Sequence, residues 1–280
     1  MPQSNNPVLT KMTQTKDGYA TFGEAPSTAT ATATAPTADW ATGSYSVPAG
    51  TAPAGVARVA IADVIVKTAA MFAVLLVFAT AAWLIPLPVG VYLVAMFAAL
   101  GVGIWASVRR EVSPGLYLLY AALEGIVVGA ISKIYNDWAI SNGAQQGIVA
   151  WAVLGTLVTF GVMLALYRTR IIKANAKFVR MMMVALISYA ILSGLSFISA
   201  IFGVGNGMGF YGLGAIGVIC CLVGVGLAAF TLVLDFAAVD QLISMGAPER
   251  ESWRAAFGLT VTLVWLYLEL LRLLAILNSR

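Results

Sequence analysis

Three carboxylic acids lie inside stretches that are otherwise apolar: Glu124, Asp235 and Glu269. Hydrocarbon makes a charge expensive, so an ionisable residue at that depth is a functional-site hypothesis by default. Two chemistries suit such groups. Burial and like charge both oppose ionisation, so a carboxyl left without a cation holds a proton and can gate by releasing it. Alternatively, several carboxylate oxygens converging on a wet cavity bind a hard cation such as Ca²⁺ transiently, without a stable metal site. The competing reading is an acid that merely ties helices together through one hydrogen bond. Arg272, three residues after Glu269, is a near neighbour on one helix face and a possible counter-charge; an intrahelical pair would hold Glu269 ionised. Lys133 cannot serve Glu124 in the same way, because their spacing puts them on opposite sides of a helix. Asp240 is a reserve candidate, although its neighbours Gln241 and Ser244 suggest a solvated position.

The elements that must position these acids are seven apolar segments, over residues 64–85, 90–108, 115–135, 147–167, 178–202, 211–235 and 255–277. Each is long enough to cross about 30 Å of hydrocarbon at about 1.5 Å per residue. Strand alternation is absent, which excludes a barrel. The fold class is an all-α integral membrane protein, a seven-transmembrane-helix bundle. By helical rise, Glu124 lies about 15 Å beyond Pro114 and Glu269 about 22 Å beyond Arg254. If the sixth helix runs on to a C-cap at Gly246, Asp235 lies about 15 Å inward from that tip. The three carboxyl groups would then occupy the middle of one bundle. Asp235 and Glu269 would differ in depth by about one turn, which leaves their direct contact open.

Composition agrees with a membrane protein. The chain is 60% hydrophobic and only 10% charged, with no histidine among 280 residues. That absence removes Ser-His-Asp and Cys-His catalysis and most zinc sites. No Gly-x-Gly-Asp or Gly-x-Ser-x-Gly occurs either, so an enzyme is not expected. The adjacent Cys220 and Cys221 are expected to be small packing residues. Gly125 and Gly129 form a G-x-x-x-G, and glycines 212, 214, 217, 224 and 226 smooth the sixth segment for close helix approach. Trp83, Trp105, Trp138, Trp151 and Trp253 fall near segment ends, as an interfacial belt would.

Residues 1–57 are rich in Thr, Ala, Ser, Pro and Gly and are expected to be a disordered polar tail without a signal-peptide core. Residues 58–280 form the membrane domain. The net charge of +4 is not a nucleic-acid signature, because the basic residues cluster between segments as orientation signals do. They occur in the tail and its junction (Lys11, Lys16, Arg58, Lys67) and in alternate loops (Arg109, Arg110; Arg168, Arg170, Lys173, Lys177, Arg180; Arg250, Arg254). The intervening loops hold only Lys133, at an edge suited to snorkelling. The N-terminus is therefore expected in the cytosol and the C-terminus outside, with Arg272 and Arg280 as exceptions.

The third segment, Tyr120-Ala-Ala-Leu-Glu-Gly-Ile-Val-Val-Gly-Ala-Ile-Ser132, resembles the Bax inhibitor (transmembrane Bax inhibitor motif) family. So do Leu232-Val-Leu-Asp-Phe236 and Val264-Trp-Leu-Tyr-Leu-Glu-Leu-Leu-Arg-Leu-Leu274, and the likeness is to the bacterial branch over about residues 60–278. The resemblance implies six helices around a central seventh in a bacterial inner membrane, and a pH-sensitive calcium leak. It implies that an acid on helix six and one on helix seven, here Asp235 and Glu269, share a proton or a hydrogen bond that controls the cytosolic end of a pore. This chain departs from the family in carrying Glu rather than Asp on the last helix, and in a wider spacing between the two acids. The extra length falls in the hairpin at Gly246-Ala-Pro248. The resulting expectation is a Ca²⁺-permeable leak gated by Asp235 and Glu269, with Glu124 second and no cofactor. The alternatives are a proton-coupled carrier using the same acids, or a regulatory protein that binds other membrane proteins such as a membrane protease. Deleting the tail would abolish the last role and spare intrinsic flux.

Overall fold

The computed structural model describes residues 57–85, 87–142, 147–207, 209–212 and 214–278. Seven helices there are long and apolar enough to cross a membrane: α1 (Ile61–Leu84), α2 (Val89–Val108), α3 (Pro114–Ser141), α4 (Val149–Arg168), α5 (Ala176–Ile201), α6 (Ala215–Ser244) and α7 (Glu251–Asn278). The chain is a multi-pass membrane protein whose outer helix faces meet the lipid bilayer. The expected disordered tail, with Lys11 and Lys16, and Arg280 at the other end lie outside the described residues.

Five helices lie within four residues of the expected limits, and α3 and α6 differ from them for physical reasons. α3 continues six residues past position 135, to Ser141. Lys133, Asn136 and Asp137 lower its hydropathy there, but its backbone hydrogen bonds continue regardless of what surrounds the side chains. α6 starts at Ala215 rather than 211, because the chain before it is folded into 3-10 turns at Val204–Gly207 and Gly209–Gly212. Gly205, Gly209 and Gly214 all have φ near +60° in that segment, a conformation that excludes most side chains. At its other end α6 reaches Ser244 and stops where Gly246, with φ of 62°, turns the chain.

α7 is the central element. It packs against α1, α3, α4 and α6, while α2 lies on α3, and α5 lies on α6 and the 3-10 turns. Burial is greatest in α3 and α7, half of whose apolar core is buried (50% each), with 39% in α6 and 17% in α1, α2, α4 and α5. α5 reaches the centre through Tyr189, whose ring lies 5.9 Å from that of Trp265. The expected arrangement of six helices about a seventh is thus refined to four direct neighbours with α2 and α5 outside.

The small residues act within the bundle. A Cβ added at Gly125 would strike the Leu75 carbonyl oxygen, and one at Gly129 the Ala79 carbonyl oxygen, so this pair lets α1 and α3 touch backbone to backbone. Cys221 is fully buried beside Tyr211, Leu273 and Ile276, and both cysteines are free thiols.

At the end carrying most of the basic residues, the segment before α1 is bound to the α6–α7 turn. Val59 N–H donates to Ala247 O at 2.9 Å and Glu249 N–H donates to Ala57 O at 2.8 Å. Lys67, one and a half turns into α1, donates to Glu249 Oε1 at 2.9 Å and to Ser252 Oγ at 2.6 Å. Arg254 donates to the carbonyl oxygens of Arg109 and Arg110. The last two helices are therefore fastened to both the first and the second at this end.

Candidate functional site

The acids occupy two levels along α7 rather than one. The first level is built by Glu269, which is only 3% exposed. Its Oε1 accepts from Tyr189 Oη at 2.9 Å, Trp265 Nε1 at 3.2 Å and Arg272 Nη1 at 3.3 Å; its Oε2 accepts from Arg272 Nη1 at 3.2 Å. Trp265 and Arg272 stand four residues before and three after Glu269, which puts all three on one face of α7. Tyr189 comes from α5. It can come this close because Gly224 of α6 has no side chain: a Cβ there would collide with the Tyr189 hydroxyl and the Glu269 carboxyl.

Arg272 is itself held on three sides. Its Nε donates to Tyr135 Oη at 3.2 Å, and its guanidinium lies 4.3 Å from the centre of the Tyr211 ring. A guanidinium over an aromatic face gains from the ring quadrupole when water is scarce. This accounts for the one described cation that broke the orientation pattern, since Arg272 is a partly buried counter-charge and not a loop signal.

The hydroxyl groups around the pair have a fixed sense. A carboxylate only accepts, so Tyr189 donates to Glu269. Tyr211, 3.0 Å away, must then donate to Tyr189, and Ser193, at 3.2 Å, to Tyr211. Five donor residues thus point at Glu269, three directly and two in series. Breaking a buried pair strands a charge, whereas a complete set of donors lets both partners stay ionised. The intrahelical pair considered from spacing alone is therefore present, and it is reinforced from α3, α5 and the 3-10 turn.

The second level holds Asp235 and Glu124. Asp235 projects from α6 toward Gly258 and Thr262 of α7, with its Oδ1 3.7 Å from where a Gly258 Cβ would stand. Its Oδ2 is buried and has no hydrogen-bond partner among the described residues. Thr262 precedes Glu269 by about two turns, or about 10 Å along α7. The expected proton-sharing contact of Asp235 with Glu269 is accordingly not formed: each acid has a different set of neighbours, and the depth difference is twice that inferred from spacing. Length along a helix sets depth only when both helix ends are known, and α7 begins four residues earlier than its apolar run, at Glu251.

Glu124 is part-buried on α3 one turn beyond Tyr120, its polar neighbour. Tyr120 and Tyr117 both pack on Phe257, with ring centres 5.0 Å apart in each case, which sets this part of α3 beside the Phe257–Thr262 stretch of α7. Glu124 is thus nearer in depth to Asp235 than to Glu269. Asp240 is exposed and accepts from Tyr167 Oη at 2.6 Å, a surface contact as its neighbours suggested. Lys133 donates to Trp83 O at 3.3 Å, at the end of α1. Among the described residues no cluster of three His, Cys, Asp or Glu side chains could hold a metal ion.

Sequence reasoning missed Trp265, Tyr135, Tyr189, Ser193 and Tyr211. Trp265 carried a usable signal, its position four residues before Glu269. The other four come from other elements and had none. A family model described as Bax inhibitor 1 like matches residues 6–279, nearly the whole chain. No curated protein matches the chain.

Proposed function

The chain belongs to the Bax inhibitor 1 like family, and from that premise we propose that it is a pH-sensitive calcium-leak protein whose sensor is Asp235. The observation that carries the reading is the Asp235 Oδ2 atom, buried and without a hydrogen-bond partner among the described residues. A neutral carboxyl is tolerated there, with Thr262 as its polar neighbour. An ionised one needs water or a cation, and admitting either means parting α6 from α7. Protonation thus biases the contact between two helices, and permeation follows the parted state.

The cations nearest the two levels are already paired, which leaves Asp235 and Glu124 without a counter-charge among the described residues. On α7, Glu269 is held by Arg272. On α1, Lys67 is paired with Glu249. At the start of α7, Arg254 is paired with Glu251. Glu124 on α3 is the other acid at this depth and serves as a second point along the ion path. The basic end faces the cytosol of a bacterial inner membrane in this reading. The acids handle protons and Ca²⁺ rather than catalysis, and no cofactor takes part.

The test is Ca²⁺ flux into liposomes carrying the purified protein at about pH 6 and about pH 8, on either side of neutrality. Asp235→Asn should hold flux at the value the wild type shows at the lower pH. A wild-type pH response that survives intact in folded Asp235→Asn would remove Asp235 as the sensor. An absence of flux in the folded wild type would remove the leak itself.

A further inference from the structure

At the end opposite the basic one, the tips of α1 and α3 and the start of α4 line an open groove of about 860 Å³. Its lining includes Trp83, Asn136, Ile140, Trp151 and Leu154. The Asn136 side-chain oxygen is taken, since it accepts from Ile148 N–H at 3.2 Å. The groove therefore offers apolar wall and little free polarity, which suits a hydrocarbon chain. Trp83 is the penultimate residue of α1 and Trp151 is the third of α4, both at the depth where aromatic rings meet headgroups. Trp151 is 58% exposed, so the groove opens sideways toward lipid.

Lys133 stands at its rim. It lies three residues before Asn136 and seven before Ile140, on the same face of α3, and its ammonium touches the Trp83 backbone. One of its three protons goes to the Trp83 carbonyl, and it forms no ion pair among the described residues. Asp137, the nearest acid along α3, is exposed and does not pair with it. Of the described cations at this end, Arg272 is engaged with Glu269, so Lys133 alone offers free positive charge.

We infer that this groove binds one anionic phospholipid, with an acyl chain between Trp83 and Trp151 and the headgroup phosphate on Lys133. The inference does not depend on Ca²⁺ flux. One Lys near a membrane surface favours an anionic lipid by about 1 kcal/mol, which is about a fivefold preference in affinity.

The test uses the purified full chain in neutral detergent, titrated with phosphatidylglycerol or phosphatidylcholine carrying brominated acyl chains, which quench nearby tryptophan fluorescence. The signal of interest is the part lost in Trp151→Phe. In the wild type it should be half quenched by about fivefold less phosphatidylglycerol than phosphatidylcholine. Lys133→Gln should bring the two midpoints together, and Ala150→Phe, which narrows the groove and keeps Lys133, should weaken quenching by both lipids. Equal midpoints in the wild type would overturn the proposal, and so would a phosphatidylglycerol preference that persists in Lys133→Gln. Quenching unchanged in folded Ala150→Phe would overturn the placement of the chain.

Discussion

Removing Arg272 should harm the protein more than removing the charge it balances, and removing both should be milder than removing Arg272 alone. In Arg272→Leu, Glu269 keeps its Tyr189 and Trp265 donors but loses the guanidinium that contacts both of its oxygens, and at 3% exposure it has little water to replace it. Breaking a buried pair in this way costs about 3–5 kcal/mol. Leucine keeps some apolar contact with the Tyr211 ring, so the lower end of that range, about 3 kcal/mol, is expected. In Glu269→Gln the amide oxygen still accepts from Tyr189 and Trp265, while Arg272 keeps Tyr135 and the Tyr211 ring, and its side chain is 23% exposed. The loss is then that of a charged hydrogen bond, about 1.5–3 kcal/mol. The double variant strands no charge and should fall within about 2 kcal/mol of the wild type. The assay is unfolding of helical circular dichroism by denaturant in mixed micelles, with the four proteins forming one cycle. A double variant no more stable than Arg272→Leu would refute the claim that Glu269 is a buried anion held by Arg272.

Three further outcomes follow from the same geometry. Tyr189→Phe removes the donor to Glu269 and the link to Tyr211, and should cost about 1.5–3 kcal/mol in the same unfolding assay, with Ser193→Ala costing less. Gly129→Leu forces a side chain into the Ala79 carbonyl and should destabilise by at least about 1–3 kcal/mol, while Gly101→Leu, with open space around it, should leave the denaturation midpoint unchanged. Asp240→Asn alters only the exposed acceptor of the Tyr167 hydroxyl, so its Ca²⁺ flux at each pH should match the wild type, whereas Asp235→Asn should not.

The spans were legible because hydrocarbon imposes a length and an apolar composition on each crossing, and those are one-dimensional properties. The Glu269–Arg272 pair was legible for a similar reason, since helical spacing alone makes the two residues neighbours. The rotation of α6 against α7 was not. Nothing in Val-Leu-Asp-Phe says whether Asp235 meets α7 at Thr262 or at Glu269, because that depends on how the side chains of both helices interlock. The aromatic partners were hidden for another reason. Tyr135, Tyr189 and Tyr211 read as ordinary apolar-segment residues, and their hydroxyls gain meaning only once separate elements bring them to one arginine and one glutamate. The glycines were half legible: Gly125 and Gly129 announce a close helix contact, but Gly224 leaves room for a carboxylate and a phenol, which no packing motif signals.

The strap across the basic end has a consequence for biosynthesis. Lys67 enters the membrane with the first helix, yet its partner Glu249 follows 182 residues later. At about 5–20 residues per second, that interval is roughly 10 to 40 s. Throughout it the ammonium must reach for the surface along its own side chain. By then α3 has been made, and its Gly125–Gly129 face gives α1 a partner to wait with. The strap that secures α1 therefore forms only once the α6–α7 turn has been made, late in synthesis.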